Sequence, residues 1–67
     1  MLELNTNIGS FKDINSLILE MKYLNIDTVD VEIKYCLKTI QDKKGMILKE
    51  LEELKKGLIA YIRKVNL

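Results

Sequence analysis

Apolar residues recur at Ile14, Leu17, Ile18, Met21 and Leu24, at spacings of 3, 1, 3 and 3. Those spacings put all five on one face of a helix. Just upstream, Ser10-Phe11-Lys12-Asp13 has the form of a capping box, with Ser10 as the cap and Asp13 in the electropositive first turn. Asn25 suits a helix stop. The pattern predicts a short helix over residues 11–24. Before it, Leu2 and Leu4 alternate with polar residues, but the alternation stops at Asn5-Thr6-Asn7. Residues 1–9 therefore read as an N-terminal tail that docks through Leu2, Leu4 or Ile8.

The next stretch carries two patterns. Val29, Val31, Ile33 and Tyr35 alternate with Asp30, Glu32 and Lys34, as in a strand. Yet Val29, Ile33, Leu37 and Ile40 also share a helical face. Asp27 is placed to cap a helix, and Ile26 with Val31 is placed for a hydrophobic staple. The helix is the preferred reading, with strand as the alternative.

From Ile33 a heptad continues through Leu37, Ile40, Lys44, Ile47, Leu51, Leu54, Leu58, Tyr61 and Val65, interrupted only by the polar Lys44. Asp30–Lys34 and Glu52–Lys56 suit its outer face. Asp42-Lys43-Lys44-Gly45 is a plausible turn, and a break there gives a three-helix bundle. The heptad keeps its phase across Gly45, however, and no proline intervenes. The expected architecture is thus all-α: a helical hairpin with a short helix at 11–24 and a long, coiled-coil-like helix at 28–65.

That architecture leaves apolar surface uncovered. The short helix would span ~21 Å and the long one ~57 Å. The second half of the long helix would then show Ile47, Leu48, Leu51, Leu54, Leu58, Tyr61, Ile62 and Val65 to water. Each such side chain is worth about 1.5–3 kcal/mol when buried, and monomers rarely leave such a patch open. A second copy would cover it, so a homo-oligomer is expected, a dimer first. Lys44 and Gly45 mark the register or turn position on which this depends.

Composition narrows the chemistry. The 67 residues form one small domain, with 11 basic and 10 acidic side chains and a net charge of +1. There is no His and one Cys, so neither a Cys/His metal centre nor an imidazole base is available. No catalytic residue, cofactor or metal is expected. The near-neutral balance weakens a general grip on nucleic acid. The single Cys and the absence of a signal-like start point to a cytoplasmic protein. The longest apolar run, Leu58–Ile62, is five residues and too short to span a membrane.

A few residues carry a second reading beside the structural one. Cys36 reads as a small apolar residue rather than a reactive thiol. Gly57 is either a tolerated cost in a helix or a site of close backbone approach. Tyr23 and Tyr35 flank the expected hairpin loop, where they would form an aromatic surface with Phe11. Glu50, Glu52 and Glu53 read as a solvated face. The doublets Lys43-Lys44, Lys55-Lys56 and Arg63-Lys64 do not form one stripe, and a single Arg leaves few base readers. The expected function is a non-enzymatic interaction protein that binds and modulates a larger protein. The alternatives are a dimeric nucleic-acid-binding regulator and a subunit of a larger helical assembly.

Overall fold

A computed structural model describes residues 1–65 of the chain. The fold is α+β, with two helices over a four-stranded antiparallel sheet. Strands β1 (Leu2–Thr6) and β2 (Gly9–Phe11) lead into helix α1 (Ile14–Leu24). Strands β3 (Thr28–Tyr35) and β4 (Lys38–Ile47) then lead into helix α2 (Leu48–Val65). The strand order is β2-β1-β3-β4. Both β2 and β3 run antiparallel to β1, so they are parallel to each other. Parallel strands need a crossover connection, and α1 supplies it.

The expected N-terminal tail is strand β1. Leu4 is central to the sheet and fully buried. It pairs with Phe11 on one side and Ile33 on the other. The two-residue loop Asn7-Ile8 joins β1 to β2. Thr6 Oγ1 donates to the Gly9 carbonyl at 2.6 Å and accepts from the Ile8 N–H at 3.1 Å.

The stretch expected to be helical after residue 28 is strand instead. Val29, Val31 and Ile33 are all buried, while Asp30 is exposed and Glu32 and Lys34 are half-buried. The alternation was the correct pattern, and the i, i+4 match through Leu37 was coincidental. Leu37 is 94% exposed at the β3–β4 turn. Asp27 caps no helix, and Ile26 leads into β3.

The continuous helix across Gly45, and the three-helix alternative, are both overturned by β4. Val29 pairs with Met46 and Val31 with Lys43, so Lys44 and Gly45 together face the single residue Asp30. This is a β-bulge. Gly45 sits at φ 69°, where only glycine is unstrained, and its N–H donates to Asp30 Oδ1 at 2.9 Å. Lys44 is exposed beside the bulge and is no core position. A second irregularity leaves Ile40 between Gln41, paired with Ile33, and Thr39, paired with Lys34. The coiled coil and helical hairpin therefore do not exist.

Helix α1 keeps its expected apolar face: Ile14, Leu17, Ile18 and Met21 are buried, whereas Leu24 is exposed. Its cap differs. Ser10 belongs to β2 and donates to Asn5 Oδ1. Asp13 is the N-cap, with Oδ1 accepting from the Ser16 N–H at 2.8 Å. Asn25 ends the helix at φ 57° in the left-handed region. The core between sheet and helices joins this face to Leu4, Val29, Val31, Ile33, Met46, Leu51 and Leu58. Both helices cover the same side of the sheet. The other side carries Asn5, Glu32 and Lys34, as expected of an antiparallel sheet with one solvated face.

Candidate functional site

Helices α1 and α2 cross the sheet side by side and leave a furrow between them. The furrow measures about 520 Å³. On α1 it is bordered by Asn15, Ile18, Leu19 and Lys22, and on α2 by Glu52, Lys55, Lys56 and Ile59. A hollow of about 130 Å³ continues it toward Leu2, Ile14, Leu58 and Ile62. Asn15, Lys55 and Ile59 border both, so the two form one trough.

The positions follow from helical geometry. Leu17 and Met21 point to the sheet. Leu19, two residues on from Leu17, turns about 200° away from it and is 67% exposed. Tyr23 lies one turn further on and is 84% exposed. On α2, Leu51 and Leu58 are buried, and Ile59 stands at the furrow wall, 45% exposed. A large apolar side chain at Leu19, opposite the core stripe of α1, was a legible signal that a search for core periodicity passes over.

The eight residues expected to form an interface divide. Leu51 and Leu58 are in this chain's own core, and Leu48 and Leu54 pack against it. Ile62 is half-buried and lines the hollow. Ile47, Tyr61 and Val65 face water. Tyr61 also meets Tyr35 edge-on, with ring centroids 6.0 Å apart and an interplanar angle of 85°. The sheet thus covers much of the stripe that the sequence left bare. Tyr35 lies at the far end of β3 from the α1–β3 link, so the expected Tyr23–Tyr35 surface does not form. Tyr23 instead borders a shallow depression with Phe11, Ser16, Leu19 and Glu20.

The three basic doublets fall on three separate surfaces. Lys55 and Lys56 border the furrow, Lys43-Lys44 lies on β4, and Arg63-Lys64 lies in the last turn of α2. Lys43 pairs with Glu50. Glu50 also accepts from the Ile47 N–H at 3.2 Å. These bonds, Lys43 first, hold the Glu50 carboxyl below the usual range. Cys36 is exposed in the β3–β4 turn, with its N–H on the Met1 carbonyl at 3.1 Å. A Cβ on Gly57 would meet nothing within 4 Å, so no contact inside the chain calls for glycine there.

Among the described residues, no polar or charged side chain is buried and no group of three or more His, Cys, Asp or Glu converges to hold a metal. No helix among them is long and apolar enough to cross a membrane. The trough is lined by Leu19 and Ile59 with Lys22, Lys55 and Lys56 at its borders. Compared with protein-family models, curated proteins and solved structures, the chain matches none.

Proposed function

We propose that this chain is a non-enzymatic binding module that engages a larger protein through the trough between α1 and α2. The observation that carries this reading is the trough itself: a concave surface with Leu19 and Ile59 in its walls and lysines on both borders. Apolar surface of that shape, rimmed by polar groups, is the usual form of a protein contact. The opposite face of the sheet carries the polar Asn5, Glu32 and Lys34, and the smaller depression at its edge, near Glu3, Lys34 and Leu37, lies away from both helices. A reducing, cytoplasmic setting suits the single exposed thiol at Cys36. Modulation of the partner would follow from occupying its surface, with no chemistry at the contact. A second copy is not needed to bury Leu51 and Leu58.

Site-specific photo-crosslinking in native cells tests this reading. A photoreactive residue replaces Leu19 in one variant and Thr39, on the outer sheet face, in another. The expected result is an adduct to one larger protein from position 19 and none from position 39. Adducts from position 39 alone, or adducts at position 19 that nuclease removes, would overturn it. The second outcome would favour the nucleic-acid alternative.

A further inference from the structure

We infer that the trough takes an acidic amphipathic helix of the partner protein. This rests on the protein-binding reading above and gives that reading a partner chemistry. Lys22 borders one side of the furrow, and Lys55 and Lys56 border the other. Two carboxylates lie along the trough. Asp13 is occupied by the Ser16 N–H and hydroxyl at the α1 cap. Glu52 lies one turn from Lys56 on the same helix, where it offsets one of the three ammonium groups. Asp13 keeps its negative charge but lines only the hollow at the end of the trough. In the furrow itself Lys22 on α1 and Lys55 with Lys56 on α2 face a single carboxylate, Glu52, so positive charge is in excess on both sides there.

An occupant must bring apolar side chains for Leu19 and Ile59 and carboxylates on both of its flanks. Its backbone must also be satisfied. The trough walls are helices, whose N–H and C=O groups are bonded within each helix, so they offer no edge to an extended strand. A helix brings its own backbone bonds and lays an apolar stripe into the groove. The shorter wall, α1, has 11 residues, or ~16 Å, which matches about three turns of partner helix. Isologous pairing of two troughs would set Lys22, Lys55 and Lys56 against a lysine-rich surface of the same kind. Like charges so placed oppose association. A membrane surface would need a convex or flat apolar face, and this one is concave.

The test uses the full chain, isotope-labelled, and two synthetic peptides about three turns long. Both carry leucines one turn apart. One has Glu at the flanking positions and the other Lys. The expected result is that the acidic peptide becomes helical on binding and moves the amide signals of Leu19, Lys22, Lys55 and Ile59. The basic peptide binds at least about tenfold more weakly. The double variant Lys22→Glu with Lys56→Glu, at two exposed sites, weakens the acidic peptide about tenfold. Leu19→Asp abolishes binding while the circular dichroism spectrum is kept.

Equal affinity for the two peptides overturns the inference. So does binding that moves only the outer sheet face. So does a preference for anionic vesicles or duplex DNA over the acidic peptide, or furrow signals that move with protein concentration alone. A captured partner whose cross-linked segment at position 19 is not acidic overturns the acidic-helix assignment and leaves the protein-binding reading standing.

Discussion

Glu50 joins two elements with one carboxylate. Oε1 accepts from the Ile47 N–H and Oε2 takes the Lys43 ammonium, so the start of α2 is tied to strand β4. This is the reciprocal half of a capping box, with the acid three residues inside the helix reaching back. The segment after Gly45 has no Ser, Thr, Asp or Asn at the cap position, so the helix start was hidden from a search for those caps. The folded carboxyl lies below its ordinary value, chiefly through Lys43. A depressed acid contributes stability that is complete above the unfolded value and is lost as pH falls through the folded one. Below about pH 4 the first turn of α2 is therefore expected to loosen before the rest of the chain. Amide exchange at Ile47, whose N–H Glu50 accepts, and at Leu51, the first amide with an intrahelical partner, reads this, and Glu50→Gln removes the acid dependence. Retained protection in those amides through the Glu50 titration would refute the assignment.

At the level of elements, the β3–β4 hairpin shows why periodicity misled. Its two-residue turn is Cys36-Leu37, with φ of 54° and 68°. Such turns favour Asn-Gly, because both central residues need positive φ. Neither Cys nor Leu announces a turn in the sequence. The double substitution Cys36→Asn with Leu37→Gly is expected to stabilise the chain by about 1 kcal/mol, read as a higher urea midpoint at unchanged slope. An unchanged or lower midpoint would show that the turn is not strained. Strand β4 was hidden for a second reason. Its bulges put Lys43 and Met46, three residues apart, opposite the buried Val31 and Val29. Alternation by two is broken there, and the broken pattern happened to fit a heptad. By contrast, α1 was legible because one uninterrupted face of it meets the core.

For the whole molecule, the decisive fact is which surface covers the α2 stripe. Leu51 and Leu58 are buried against the chain's own sheet and α1, with Leu48 and Leu54 packed at the border. The patch that called for a second copy is thereby reduced to Ile47, Tyr61 and Val65 on one side and the furrow residues on the other. Sedimentation equilibrium is expected to give the single-chain mass of 7.8 kDa as concentration rises. A dimer mass would restore the second copy as the partner of those residues. The furrow itself could not be read from the chain. It depends on α1 and α2 lying side by side on one sheet face, which no spacing within either helix records.

By itself the sequence determined the short helix near residue 14, the apolar face of that helix, the amphipathic C-terminal segment and the absence of an imidazole for chemistry. These depend on residue type and on contacts a few positions apart. Tertiary structure alone decided that Leu2–Thr6 is a strand, that Val29–Tyr35 alternates across a sheet and that the C-terminal helix begins only after Gly45. Each of those outcomes needs hydrogen bonds from another strand, which the residue spacing within the segment does not record. An isolated segment whose side chains fit both periods has no means of choosing between them.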